Sequence, residues 1–200
     1  VKEEILPTVD ELFDRQLRLQ SEAATVIMDL RLFDALRVGG VPNPVGSLAT
    51  GLMVWRDIDF TVVCDRLDIG VVTGVAASFA AHPRVRSVEF RNDSGPWNSD
   101  ESAYPDGLFL GIGYVGDAVW ELDIWFVDEP DRQPDLHHVR ELSDRLDDES
   151  RGAILTIKHA WHLRAEYGTT VSSHDIYRAV LDDGVTTIAG FDAWVRSRGV

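Results

Sequence analysis

Cysteine and lysine are nearly missing from this 200-residue chain: Cys64 stands alone, and Lys2 and Lys158 are its only lysines. A single cysteine excludes an internal disulfide framework and a zinc site built on cysteine pairs. No apolar run approaches the roughly 20 residues needed to span a bilayer, and no basic, apolar leader of the secretory kind opens the sequence. A cytoplasmic protein with no membrane partner is expected. Positive charge is scarce as well, with 19 basic residues against 34 acidic ones and a net charge of −15. Proteins that track a phosphate backbone carry a positive stripe. None is visible here, which weighs against nucleic acid as the main ligand. An acidic cleft suits a cationic small molecule instead, although surplus acid also serves solubility alone.

What is present is an ordinary globular balance, 44% hydrophobic and 26% charged, in a chain long enough to bury a sizeable core. "VDELFDRQLRLQSEAATVIMDLRLFDALRV" repeats its apolar residues at helical spacing, with an interruption near Leu30 and a cap at Thr8 or Asp10. "GGVPNP" ends it as a turn, and "DIDFTVVCD" follows as a strand. A small-residue helix stops near Pro83, "RVRSVEFR" alternates as a half-buried strand, and residues 92–106 read as a loop. Gly116-Asp117 joins two further strands in a hairpin. From about Asp135 the pattern is entirely helical, with Ser172 and Asp175 placed as a capping box. The expected fold is α+β, a mixed β-sheet flanked by helices with a C-terminal helical region, organised as domains 1–134 and 135–200.

Two aspartates stand one residue apart in the first strand. Residues i and i+2 of a strand share a face, so Asp57 and Asp59 present paired carboxylates while Ile58 and Phe60 point into the core. Such a pair repels unless a cation joins it, and magnesium takes oxygen ligands of this kind. A water-facing edge strand is the alternative, but "FTVVC" reads as a central strand. Glu121 and Asp123 repeat the arrangement in "VWELDIWFV", so that three carboxylates can converge on one or two metals. Ahead of them Gly46-Ser47 opens a short helix, either as an anion-binding turn or as a plain N-cap.

Gly46-Ser47, nine intervening residues, Asp57-Ile58-Asp59 and Asp123 in "LDI" together resemble the nucleotidyltransferase superfamily of the DNA polymerase β type, over residues 41–127. The helical tail resembles those of stand-alone bacterial members, antibiotic-modifying enzymes among them. The resemblance implies transfer of a nucleoside monophosphate from an NTP, ATP being the expected donor, to a hydroxyl of a small-molecule acceptor, with cationic antibiotics among the candidates. It implies Mg2+ held by Asp57, Asp59 and Asp123, with Asp123 also placed to take the acceptor proton. Gly46 and Ser47 would hold the terminal phosphates. Glu121 is the other candidate for the third acid.

Lys158, a lysine in a chain that otherwise uses arginine, is either a second phosphate contact or a solvated helix residue. His159 with His162, and His137 with His138, read as surface or packing pairs rather than metal ligands. Trp97 and Tyr104 are candidates to stack on an acceptor ring, and Asp93, Asp100 and Glu101 to hold its ammonium groups. Trp55, Trp120, Trp125, Trp161 and Trp194 are expected in core or domain-interface positions, and Asp65 and Asp68 in a solvated turn. Two other functions compete: a toxin-like transferase acting on a protein or tRNA, and a nucleotide-binding module without turnover.

Overall fold

The alternation of "DIDFTVVCD" becomes an interior strand of a five-stranded mixed sheet in the computed structural model, which describes residues 6–100 and 102–199. Its strands are β1 (Val41–Val45), β2 (Asp57–Val63), β3 (Val85–Asp93), β4 (Gly107–Val115) and β5 (Val119–Val127). They lie in the order β1-β2-β5-β4-β3. Only β2 and β5 run parallel; the other neighbours are antiparallel. The stretch expected to be a turn, "VPNP", is the edge strand β1. Its two prolines fit that position, because an edge strand does not need every backbone N–H in the ladder.

Period two divides the sheet into two faces. Ile58, Phe60 and Val62 of β2, Leu122, Ile124 and Phe126 of β5, and Leu108, Leu110 and Ile112 of β4 are all buried. Each such side chain contributes about 1.5–3 kcal/mol by leaving water. The helices packed among these strands are α2 (Leu32–Leu36) and α4 (Ile69–Ala80), with α4 lying on β3 and β4. The Phe33 and Phe60 rings meet edge to face at 5.3 Å. Asp68 caps α4 by accepting from the Val71 N–H at 3.1 Å. Helix α1 (Val9–Asp29) begins at a reciprocal Thr8–Glu11 cap and is separated from α2 at Arg31, a left-handed residue with φ 47°.

The chain groups into two compact units. Among the described residues, one comprises 6–19, Leu52–Val54 and 144–199; the other comprises Gln20–Gly51 and Trp55–Ser143 and contains the sheet. This grouping differs from the expected domains 1–134 and 135–200 in where the start of α1, Leu52–Val54 and most of helix α5 (Pro134–Arg145) fall. In the helical unit, α6 (Asp148–Trp161) meets α7 (Ser173–Leu181) and α8 (Ile188–Ser197). Gly152 lets α6 approach the start of α1, since a Cβ there would lie 2.9 Å from Val9 Cγ1. Phe191 packs edge to face with Trp161 at 5.0 Å and stacks on Trp194 at 5.6 Å. The Ser172–Asp175 capping box opens α7. Among the described residues, no helix is long and apolar enough to cross a membrane.

Candidate active site

Gly46 begins the short helix α3 (Gly46–Thr50) with φ 61°, a conformation that strains any residue with a Cβ. A side chain there would also run into Asp59 Oδ2. Glycine is therefore required twice, once by the backbone and once by the carboxylate seated against it. The next residue, Ser47, is buried and donates its hydroxyl to Asp57 Oδ1 at 3.3 Å. Gln20 holds the far side of the turn by donating to the Leu48 carbonyl at 2.9 Å. The Gly-Ser turn and the Asp-x-Asp strand are thus in direct contact, as their sequence spacing suggests.

Strand register supplies the remaining acids. Asp57 lies opposite Glu121 and Asp59 opposite Asp123 in the parallel β2–β5 pair. All four carboxylates occupy one face, opposite the buried Ile58, Phe60, Leu122 and Ile124. The next strand, β4, places Gly113 beside Glu121 and Gly111 beside Asp123. At these two positions β4 carries no side chain of its own, but the Phe109 ring leans over Gly111, where a Cβ would lie 3.2 Å from it, and Ser87 of β3 leans over Gly113 so closely that a Cβ there would clash. Glu89 and Arg91 continue this face on β3, opposite Gly111 and Phe109.

The electrostatics follow from the crowding. Asp123 is exposed on the sheet face, yet the protein around it partly desolvates the carboxylate, and this raises its pKa. The neighbouring charge of Glu121 raises it further, Arg91 opposes the rise, and Glu89 adds to it. Asp57 and Asp59 are half-buried and engaged with their surroundings. Among the described residues, no three His, Cys, Asp or Glu side chains converge closely enough to hold a metal ion as they stand. The donors nonetheless fit magnesium in chemistry and placement. They are all carboxylate oxygens, they share one face, and Asp59 and Asp123 are direct cross-strand neighbours on strands about 4.8 Å apart. The register leaves both Glu121 and Asp123 in position to be the third acid.

Lys158 belongs to the other compact unit. It is only 1% exposed, and its amine donates to the Leu52 carbonyl at 3.0 Å and the Tyr177 hydroxyl at 3.3 Å. It is therefore not the solvated helix residue that its position suggested, and a direct phosphate contact would require breaking both bonds. His162 Nδ1 donates to the His159 carbonyl at 2.7 Å, closing the end of α6. In the loop, Trp97 is 70% and Tyr104 51% exposed. Asp93 is paired with Arg91 at 2.8 Å and Asp100 accepts from Ser102 at 3.1 Å; Glu101 lies outside the described residues. Sequence reasoning did not single out Arg91, Glu89 or the β4 glycines. Their alternation is visible in "RVRSVEFR" and "GLFLGIG", but the register that brings them beside the acids is not.

No family model and no curated protein matches the sequence. Solved structures do match. One is a cytoplasmic RNA terminal U-transferase, at TM-score 0.58 and 19% identity, covering 86% of this chain and 52% of that one. Another is the Cid1 poly(U) polymerase with magnesium and 3′-dATP, at TM-score 0.62 and 18% identity over 86% of this chain and 54% of that one. A further Cid1 structure matches at TM-score 0.54 and 18% identity with the same coverage. The likeness establishes the fold, that of nucleotidyltransferases, and this chain spans about half the length of the structures it resembles. These matches correct three expectations. The fold leads to proteins named for RNA and poly(U), not to antibiotic-modifying enzymes; the small-molecule, cationic acceptor loses its support; and nucleic acid can no longer be set aside as a partner. The net charge misled because it sums the whole surface, whereas holding the end of an RNA takes only a few local contacts.

Proposed function

We propose that this protein is a magnesium-dependent nucleotidyltransferase that moves a nucleoside monophosphate from an NTP to the 3′-hydroxyl of an RNA. The observation that carries the reading is the placement of Asp57, Asp59, Glu121 and Asp123 on one sheet face, with Asp59 seated against the Gly46 turn. The nucleotidyltransferase fold and the RNA-directed relatives support it.

In this reading Asp57, Asp59 and Asp123 would hold the magnesium, which would supply charge neutralisation at the transferred phosphoryl group. The hydroxyl oxygen of the acceptor bonds to the α-phosphorus, the bond from that phosphorus to the β-phosphate oxygen breaks, and pyrophosphate leaves. Asp123 is the carboxylate proposed to take the hydroxyl proton. Ser47 turns its hydroxyl from Asp57 to the terminal phosphates, beside the open backbone at Gly46. Lys158 holds the Leu52 segment, which follows this turn in the chain. ATP and UTP are the donors to compare, because the related structures include ATP-bound forms and are described in terms of UTP selectivity. A cytoplasmic location accords with this reading, as for one of the matched transferases.

The test is extension of a labelled RNA oligonucleotide with each NTP and magnesium. Extension that disappears when the 3′-hydroxyl is removed, and in Asp57→Ala, supports the reading; no extension with any NTP rejects it. One observation favours a second reading, nucleotide binding without transfer: the carboxylates do not converge as they stand. Nucleotide binding that persists with no pyrophosphate release would decide for it.

A further inference from the structure

A cavity of about 400 Å³ lies in the sheet-bearing unit, two residues along β5 from Asp123. Trp125 and Val127 line it from β5, Asp93 from the end of β3, and Asn98 and Tyr104 from the following loop, with Gln133 and Asp135 beyond. Trp125 shares the face of Glu121 and Asp123, because they alternate along one strand. Its ring is held in place. Phe109 packs on it at 5.1 Å, the Arg91 guanidinium lies 5.4 Å from its centre, and Gly107 leaves room where a Cβ would come within 3.0 Å of the indole.

We propose that this cavity receives the base of the acceptor's 3′-terminal nucleotide, stacked on Trp125 and Tyr104, while its 3′-hydroxyl reaches Asp123. The proposal rests on the RNA-directed reading above and adds where the acceptor lies. Three features argue for a base rather than a phosphate group. The walls offer two aromatic rings, which stack on any base. Their polar groups are amides and carboxylates suited to base edges, with Gln133, 4% exposed, donating to Asp135 at 2.9 Å and Asn98 donating to Asp106 at 3.1 Å. The carboxylates of Asp93, Asp100 and Asp135 repel an anion.

Geometry assigns the cavity to the acceptor rather than to the donor. The Gly46 turn stands at the β1–β2 side of the acids, near the beginning of β2. The cavity stands at the β5–β3 side, near the end of β5. In-line displacement needs the attacking hydroxyl opposite the leaving pyrophosphate, and these two positions flank the acids from opposite sides. Along a strand, Asp123 and Trp125 are roughly 6.7 Å apart, within the span of one nucleotide from its base to its 3′-oxygen.

The test uses the full chain and an RNA oligonucleotide carrying 2-aminopurine at its 3′ end or three nucleotides upstream. Stacking on an aromatic ring quenches this base, so the 3′-terminal probe should dim on binding and the upstream probe should not. Tyr104→Ala, at an exposed position, and Trp125→Leu should reduce the quenching and raise KM for RNA roughly tenfold, with KM for the NTP unchanged. Tyr104→Ala guards against a folding defect in the tryptophan variant. Wild-type extension with unchanged 3′-terminal fluorescence, or variants that raise only KM for the NTP, would overturn the proposal and leave the transferase reading standing. Failure of the wild type to bind or extend any RNA would remove both.

Discussion

The two faces of the central sheet are made by the same strands yet have opposite chemistry. On one, Ile58, Phe60, Leu122 and Ile124 are fully buried among the helices. On the other, one residue away at every step, Asp57, Asp59, Glu121 and Asp123 stand in two cross-strand pairs. Alternation allows this because a residue's face is set by its position alone. The covered face provides the stability that lets the other tolerate four crowded carboxylates. Function and stability are therefore separable here, and substitutions on the two faces should fail in different ways.

The largest expected effect is on the acidic face. Asp59→Ala should lower nucleotidyl transfer at least about a thousandfold, with the melting temperature unchanged or slightly raised, since like charges are relieved; transfer assays and thermal melts on the same preparation check this. Phe60→Ala, its immediate neighbour, should do the reverse. It should cost about 3–5 kcal/mol and lower the melting temperature by roughly 10 °C or more, leaving turnover per folded molecule intact. If both variants lost activity and stability alike, the separation of faces would be broken.

Gly46→Ala sits between these two behaviours. A left-handed φ and the blocked space beside Asp59 should cost about 1–3 kcal/mol and reduce transfer roughly tenfold to a hundredfold. Denaturant melts and initial rates would show the combined defect.

A smaller effect belongs to the rim of the covered face. Tyr114 donates to Asp29 at 2.7 Å and accepts from Arg84 at 3.1 Å. The hydrogen bond from Tyr114 holds the Asp29 carboxyl below its ordinary pKa, opposed by desolvation and aided by Arg84 and His82. A lowered carboxylate pKa stabilises the fold above the unfolded value, and that contribution is lost as pH falls through the folded one. Tyr114→Phe should lower the melting temperature by roughly 2–4 °C at neutral pH. The gap from wild type should narrow below about pH 4, which melts across pH would reveal. Smallest of all is a difference in labelling. Burial, then the charges of Asp128 and Asp65, push the Cys64 thiol up to about 11 from 9.0, against a backbone hydrogen bond from Val127 that lowers it. Alkylation at pH 8 should run about a hundredfold slower in the native protein than in the unfolded chain.

Much of the fold was legible because its signals are local. The helix interruption at Arg31, the β4–β5 hairpin and the Ser172–Asp175 cap all arise within a few residues. Strand β1 was hidden because its prolines read as a turn, and only pairing with β2 makes an edge strand of them. At the site, spacing placed Asp57 with Asp59 and Glu121 with Asp123. The opposition of Asp59 to Asp123, the glycines of β4 and the Trp125 cavity depend on register between distant strands, which no local pattern carries. Lys158 stood out by composition, but its burial against Leu52 and Tyr177 is a tertiary fact. The acceptor was misjudged for a related reason: net charge has no address on the surface.

The most direct measurement is calorimetric titration of ATP, UTP, GTP and CTP, each with magnesium, into the wild type and into the Asp57→Ala/Asp59→Ala variant. Magnesium-dependent binding of at least one nucleotide to the wild type, abolished in the variant while its melting temperature holds, is the result expected of a nucleotide site on the acidic face. Binding of equal strength in the variant, or none to the wild type with RNA present, would contradict it.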